Sequence, residues 1–114
     1  MSARAIGKTV LALVVGFTVL GLAAPGRSQQ GVSVQLFQFK PGQLEVKAGS
    51  TVTWANQDDI GHTITSGTPE QRDGRFDLAL DVKGAVATVQ LEKPGIYPYF
   101  CNRHQSMRGE IRVK

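Results

Sequence analysis

The chain has a single cysteine, Cys101, among its 114 residues, so no disulfide can form within it. Histidine and methionine are also scarce, with two residues of each. Small exported domains commonly rely on disulfides for stability. A lone cysteine in such a chain is a free thiol, an intermolecular link or a metal ligand. The role of Cys101 is therefore the first question that the sequence raises.

Long apolar runs are missing as well. The longest mainly apolar run without a charge extends from Thr9 to Ala24, over 16 residues, and a helix that spans a membrane needs about 20. The basic residues Arg4 and Lys8 precede this run, and the polar, breaker-rich stretch PGRSQQG follows it. A basic start, a short apolar run and small residues near the end are typical of a secretory signal peptide.

We therefore predict that residues 1–28 are a signal peptide, cut somewhere within 23–30, and that residues 31–114 form one exported domain. The predicted location of this domain is the periplasm. The alternative is that the N-terminal segment stays attached as a membrane anchor, and only then would the protein associate with a membrane.

Excess basic charge is absent from the predicted mature part. Of the 13 Lys and Arg, Arg4, Lys8 and Arg27 precede residue 29, whereas all 9 Asp and Glu follow it. The mature net charge is therefore about +1. Proteins that bind nucleic acids carry a basic patch or stripe, and none is present, so we expect no nucleic-acid partner.

Helical periodicity is absent after residue 30, and the alternation typical of strands takes its place. The predicted strands are 32–39, 43–56 with a break at Ala48-Gly49-Ser50, 62–66, 85–91, 95–101 and 110–114. The remaining stretch, 67–84, could be a loop with a short helix or strand. Short strands separated by Pro-Gly, Gly-Ser and Asp-Gly turns predict an all-β sandwich or barrel.

Three metal-binding residue types lie close together in the stretch YFCNRHQSMRG. Cys101, His104 and Met107 are each separated by two residues, and His62 lies 39 residues before the cysteine. Two histidines, one cysteine and a weak axial methionine are the ligand set of a blue-copper electron-transfer site. Because these residues fall at predicted strand ends, a rigid sandwich could fix their geometry before a metal binds.

Other interpretations of these residues remain open. Each residue alone could be a surface histidine, a buried thiol or a core methionine. Zinc also accepts Cys and His, although it has little use for a methionine and its structural sites usually carry more thiolates. A cysteine nucleophile with His104 as its base is a further alternative, but no orienting group or oxyanion feature is evident.

Two segments resemble the cupredoxins, the type 1 blue copper family. GIYPYFCNRHQSMRGEIRVK is similar to the family's C-terminal strand, ligand loop and final strand, and VKAGSTVTWANQDDIGHTIT is similar to its first-histidine segment. The resemblance covers residues 31–114 and is strongest to the amicyanin and plastocyanin members. The loop spacing itself resembles that of amicyanin most closely, since plastocyanin and pseudoazurin have a longer gap before the methionine. It implies a Greek-key β-sandwich of about eight strands with one type 1 copper. The implied ligands are His62, Cys101 and His104, with Met107 axial.

The chain departs from the family pattern at three places. Gly61 replaces a proline before the first histidine, which implies a looser loop. Thr63 replaces an asparagine that supports the thiolate by hydrogen bonding, and its hydroxyl could donate there with a shorter reach. Asn102-Arg103 replaces Thr-Pro or Ser-Pro, which places a cation near His104.

The resemblance implies a monomeric electron carrier that is not an enzyme. Its expected partner is a transient redox protein, such as a c-type cytochrome or a redox enzyme. A copper-binding or delivery module is the alternative function. Delivery sites tend to have exposed Met or His clusters, and this chain has no histidine to spare. A copper enzyme needs an open metal position, usually built from further histidines, so that class is disfavoured.

Overall fold

A computed structural model describes residues 29–114, and the predicted signal peptide, residues 1–28, lies outside the described residues. The described part forms nine strands. These are β1 (Gln29–Gln35), β2 (Gln38–Lys40), β3 (Gln43–Val46), β4 (Ser50–Asn56), β5 (His62–Gly67), β6 (Arg72–Leu80), β7 (Val86–Leu91), β8 (Gly95–Phe100) and β9 (Arg108–Val113). Within residues 29–114, no helix has the length and hydropathy that crossing a membrane requires.

The strands form two sheets that pack face to face. One has the order β2-β1-β4-β7 and the other the order β3-β9-β8-β5-β6. The pairs β1–β4 and β3–β9 are parallel, whereas the other pairs are antiparallel. Neighbouring strands in space are thus often distant in sequence, as in a Greek key. The prediction of an all-β, Greek-key sandwich is confirmed, with nine strands where about eight were expected.

The core lies between the sheets and follows from alternation along the strands. Val52 and Trp54 of β4 are fully buried, and Thr53 between them is only half-buried. All six residues of β5 are buried, so this strand is covered on both faces. The Trp54 ring contacts that of Tyr99 on the opposite sheet, with centroids 5.3 Å apart. A single core therefore supports both sheets.

The predicted strand 32–39 is interrupted, and this is the main difference from the expected pattern. Leu36 and Phe37 have positive φ values of 54° and 58° and form a two-residue turn between β1 and β2. Val34 pairs with Phe39 across this hairpin. Both residues are buried, whereas Leu36 and Phe37 are exposed.

The stretch 67–84, which the sequence left open, contains the nine-residue strand β6. This strand lies at the edge of its sheet beside β5, and most of its side chains are exposed. Phe76, Leu78 and Leu80 alternate toward the core in its second half. Its first four residues are exposed and contain an Asp-Gly turn signal, which is why the pattern did not identify the whole strand.

Candidate metal centre

The predicted ligands lie where three strands begin or end. His62 is the first residue of β5, Cys101 directly follows β8, and Met107 directly precedes β9. The strands β5 and β8 are antiparallel neighbours, with Thr65 opposite Phe100. This register brings the start of β5 next to the end of β8.

Three of the predicted donors converge. One ligand atom from each of His62, Cys101 and His104 lies within 4.8 Å of the others. The Cys101 Sγ atom is 3.8 Å from Nδ1 of His62 and 3.7 Å from Nδ1 of His104. His62 and Cys101 are fully buried, whereas His104 is partly exposed. The chain can therefore offer a thiolate and two imidazole nitrogens to one ion.

Three backbone hydrogen bonds close the connection between β8 and β9. The Cys101 N–H donates to the Met107 carbonyl at 3.1 Å, the Met107 N–H to the His104 carbonyl at 2.9 Å, and the His104 N–H to the Cys101 carbonyl at 3.3 Å. Met107 is itself buried. The spacing of two residues between ligands is thus held by the loop's own backbone.

Asp58 fixes the orientation of the His62 ring. Its Oδ2 atom lies 2.8 Å from His62 Nε2, and a carboxylate can only accept a hydrogen bond. The Nε2 atom therefore carries the proton, and Nδ1, which faces Cys101, presents its lone pair. A carboxylate behind a ligating histidine is a common way to set the tautomer and orientation of the ring.

The same carboxylate holds the turn between β1 and β2. The Leu36 N–H donates to Asp58 Oδ1 at 2.7 Å, and the Phe37 N–H donates to Oδ2 at 3.1 Å. The Phe37 ring packs edge-on against the rings of His62 and His104, with centroid distances of 5.3 and 4.9 Å. Sequence reasoning missed this arrangement, because nothing in the pattern connects Asp58 with a turn more than 20 residues earlier.

Asn56 joins the loops beneath this cluster. Its side-chain oxygen accepts the Asp58 N–H at 2.9 Å. Its Nδ2 atom donates to the carbonyls of Ile60, Leu80 and Val82 at 2.9, 3.3 and 3.1 Å. Since the side chain is fully buried, these bonds satisfy a costly polar group and tie the β4–β5 and β6–β7 connections together.

Thr63 contacts the sulfur through its backbone. The Thr63 N–H donates to Cys101 Sγ at 3.4 Å. Its hydroxyl instead accepts the Asn102 N–H at 2.7 Å. The expectation that the hydroxyl could donate to the thiolate is therefore not met in this structure, because the side chain joins the two ligand segments to each other.

Arg103 occupies the space left open by Gly61. The guanidinium pairs with Asp81, with Nη2 and Oδ1 2.8 Å apart. A Cβ at position 61 would collide with this guanidinium and lie 2.9 Å from the Asp81 carbonyl oxygen. The loop implied to be looser is thus packed against its neighbours, and glycine is the residue that permits this packing.

The donor set fits copper better than zinc. One thiolate and two imidazoles in a buried site, with a methionine in the same loop, match the preference of copper electron-transfer sites, whereas structural zinc sites are usually closed by four thiolate and imidazole ligands. Fold and donors together define a small β-sandwich protein of the blue-copper class.

The chain belongs to the plastocyanin/azurin family of copper-binding proteins, the cupredoxins, whose family model matches residues 27–114. Its members bind one copper ion and carry electrons. The resemblance noted in the sequence is thereby confirmed.

Individual proteins support this membership. Amicyanin-alpha from Methylorubrum extorquens is 28% identical over an aligned length of 115 positions. The alignment covers 99% of this chain and 94% of that protein. Plastocyanin from Scenedesmus fuscus is 33% identical, over 67% of this chain and 86% of its own length. The solved structure of a purple cupredoxin from Nitrosopumilus maritimus superimposes with a TM-score of 0.68 at 25% identity, over 75% of this chain and 99% of that one.

Proposed function

We propose that the protein is an exported electron carrier with one type 1 copper ion held by His62, Cys101 and His104, and with Met107 as the weak axial ligand. The observation that carries this proposal is the convergence of one buried sulfur and one imidazole nitrogen from each histidine within 4.8 Å of one another. The signal peptide that the sequence predicts for residues 1–28 is the basis for proposing a periplasmic location. The free thiol then has a clear role, since coordination and burial protect it from oxidation.

The bound copper would supply the redox chemistry by alternating between Cu(II) and Cu(I). The chain's own contribution is to keep the ligands in place through that change. Asp58 holds the His62 ring, the Thr63 N–H contacts the sulfur, and the loop's backbone bonds fix the spacing from Cys101 to Met107. Ligands held before the reaction need little rearrangement during it.

The surface around His104 is suited to brief contact with a redox partner. His104 is the least buried of the three converging donors. Four exposed apolar residues lie at this end of the sandwich: Leu36, Phe37, Ile60 and Val82. The backbone of each is hydrogen-bonded to the side chain of Asp58 or Asn56, which places it close to the proposed site. We propose that an electron passes through the exposed edge of His104 to a c-type cytochrome or a redox enzyme that docks on this face.

An absorption spectrum of the copper-loaded protein tests the proposal. The oxidised protein should bind one copper and show the intense visible absorption of a thiolate bound to Cu(II). The variant Cys101→Ser should lose this absorption, whereas Ser106→Ala, an exposed change in the same loop, should keep it. A colourless one-to-one complex of the unmodified protein would refute the type 1 assignment and favour a copper-delivery role.

A further inference from the structure

Phe100 is fully buried without belonging to the core between the sheets. Its neighbour Tyr99 packs against Trp54 of the opposite sheet, and successive side chains of a strand point to opposite faces. The Phe100 ring therefore lies on the outer face of its sheet, between Thr65 of β5 and Arg108 of β9. Other parts of the chain must cover the ring on that face.

The turn between β5 and β6 brings an arginine to this ring. Two backbone hydrogen bonds between Thr68 and Gln71, of 3.1 and 3.0 Å, close the turn. Gly67 permits the bend before it, because its φ is +99° and an added Cβ would lie 2.5 Å from the Gln71 carbonyl oxygen. The first residue of β6 is Arg72, and its guanidinium carbon lies 5.8 Å from the centre of the Phe100 ring. This is within the range of a cation–π contact.

Arg72 also reaches the ligand loop. Its Nη2 atom donates to Asn102 Oδ1 at 2.5 Å. Asn102 directly follows Cys101, and its own backbone N–H donates to Thr63 Oγ1 at 2.7 Å. This loop residue is therefore held to β5 through its backbone and to β6 through its side chain.

A second contact between the turn and the loop side of β9 is weaker. Arg108 Nη2 lies 3.9 Å from Glu70 Oε2, and the two side chains are 52% and 76% exposed. Ion pairs this exposed contribute little. Arg72 differs, because one planar guanidinium covers an aromatic ring and donates to Asn102 at the same time, which the compact ammonium of a lysine cannot do.

We propose that Arg72 is a positioning residue, which fastens the ligand loop to β6 through Asn102 and thereby opposes opening of the loop. The consequence for copper rests on the proposed function, but the attachment itself can be tested without metal. Opening the loop breaks its backbone hydrogen bonds, which are donated by the N–H groups of Cys101, His104 and Met107. These three protons therefore report the opening.

Three variants and one control separate the contacts. Arg72→Met keeps an unbranched apolar stem but has no N–H to donate. Asn102→Ala removes the acceptor, whereas Asn102→Asp has the same shape and keeps one. Arg75→Met is the matched control, because Arg75 also belongs to β6, its guanidinium carbon lies 4.4 Å from the centre of the Tyr97 ring, and it donates to the Ile96 carbonyl, outside the ligand loop.

The first measurement is amide hydrogen exchange of the metal-free protein by NMR. Arg72→Met and Asn102→Ala should speed exchange of the three loop protons by roughly two- to tenfold relative to the amides of β4, the factor for one hydrogen bond. The strand β4 is paired on both sides and reports global unfolding. Asn102→Asp and Arg75→Met should leave the ratio unchanged. An equal change in loop and β4, or unchanged exchange in folded Arg72→Met, would overturn the proposal.

The second measurement is the release of copper to an excess of chelator. If the loop opens before the metal leaves, Arg72→Met and Asn102→Ala should release copper faster by a similar factor. Their visible spectra should match that of the unmodified protein, because the ligand set is intact. The double variant should release copper no faster than Arg72→Met, since the hydrogen bond is already lost. Additive effects would contradict the proposal, and unchanged release would refute its consequence for copper.

The two measurements also separate this proposal from the copper assignment. If the unmodified protein lacks the thiolate absorption, the proposed function fails, and the metal-free exchange data still decide whether Arg72 fastens the loop. If Arg72→Met does not fold, Asn102→Ala carries the test, because it leaves Arg72 over the Phe100 ring.

Discussion

The Nε2 atom of His62 and the Oδ2 atom of Asp58 lie 2.8 Å apart, and this carboxylate also receives the backbone N–H groups of Leu36 and Phe37. One side chain therefore determines the orientation of a proposed ligand and the conformation of the turn that covers it. The Asp58 side chain is only 12% exposed, so its bonds form in surroundings that screen them little.

Replacing Asp58 should weaken the fold measurably. In Asp58→Asn, an NH₂ group replaces one oxygen and can accept no hydrogen bond. Either the bond from Leu36 or the bonds from Phe37 and His62 are then lost. We expect the free energy of unfolding of the metal-free protein to fall by about 1–3 kcal/mol, the usual cost of disrupting bonds to a charged group. Urea unfolding measures it, with Asp59→Asn as the exposed control, which should change by less than about 0.5 kcal/mol.

The contribution of Asp58 should also depend on pH in a definite direction. Burial raises the pKa of Asp58, but the N–H groups of Phe37 and Leu36 and the His62 imidazole together lower it more, and the net pKa lies below its ordinary value of 3.8. A carboxyl with a lowered folded pKa stabilises the fold above its unfolded pKa, and that stability disappears as the pH falls through the folded pKa. The difference between the unmodified protein and Asp58→Asn should shrink below about pH 4. A difference that grows in acid would contradict this assignment.

The ligand roles predict different outcomes at two positions. Met107→Leu should retain copper, because the axial bond is weak. It should raise the midpoint potential, because Cu(II) loses an electron donor. His62→Ala should lower copper affinity severely, since it removes one of three strong donors. Copper titration measures the affinity of both variants, and voltammetry measures the midpoint potential of those that retain the metal. Retention by His62→Ala together with loss by Met107→Leu would reverse the proposed roles.

A substitution in the turn between β1 and β2 should make the protein more stable. Positive φ is unfavourable for Leu36, and asparagine adopts this conformation more readily in two-residue hairpin turns. Leu36 is 72% exposed, so little buried surface is lost. We expect Leu36→Asn to raise the free energy of unfolding by about 0.5–1 kcal/mol, measured by thermal or urea unfolding. Leu36→Val, a β-branched residue in the same place, should instead destabilise the protein.

Gly109 should be intolerant of any side chain. It lies opposite Tyr99 in the β8–β9 pair, and an added Cβ would collide with the tyrosine ring. That ring is held between Trp54 and Phe39, so it cannot move aside. We expect Gly109→Ala to cost about 1–3 kcal/mol of unfolding free energy. Gly31→Ala is the control, because nothing lies within 4 Å of its added Cβ, and it should be close to neutral.

Charge at the proposed docking face can be tested with small redox probes. Arg103 is 45% exposed and pairs with Asp81, so Arg103→Glu places two carboxylates together near His104. Oxidation of the reduced protein by the hexacyanoferrate(III) anion should slow by a few fold at low salt, with the difference fading as salt rises. Lys114→Glu, at the far end of β9, should leave the rate unchanged. Equal rates for both variants would exclude charge steering at this face.

The sequence predicted the features that depend on local pattern. Strand alternation located most of the sandwich, and residue types with their spacing identified His62, Cys101, His104 and Met107. The β1–β2 turn was not predicted because Leu36 and Phe37 are both apolar and include no glycine, asparagine or aspartate. The one local sign of it is that the apolar positions change parity between these two residues. The turn depends instead on hydrogen bonds from a distant carboxylate, which no local pattern reveals.

The contacts around the site could not be predicted from the sequence either. Thr63 was expected to act on the sulfur through its hydroxyl, and only the β5–β8 register shows that this oxygen lies beside the Asn102 N–H. The packing of Arg103 over Gly61 depends on Asp81, which follows the edge strand that the pattern left undefined. Such partners are set by tertiary structure, so residue type predicted the candidate ligands but not the groups that orient them.

The parallel pairing of β3 with β9 has a consequence for biosynthesis. It joins Gln43–Val46 to Glu110–Val113, across more than half the length of the chain, and contacts between such distant segments make folding slow. Cys101 precedes β9 in the chain, and its backbone N–H bonds to the carbonyl of Met107, the residue directly before that strand. On the proposed export route, the thiol would therefore lack this contact and stay open to oxidants until β9 docks. The yield of protein that can bind copper should then depend on the rate at which β9 docks relative to the rate at which the Cys101 sulfur is oxidised.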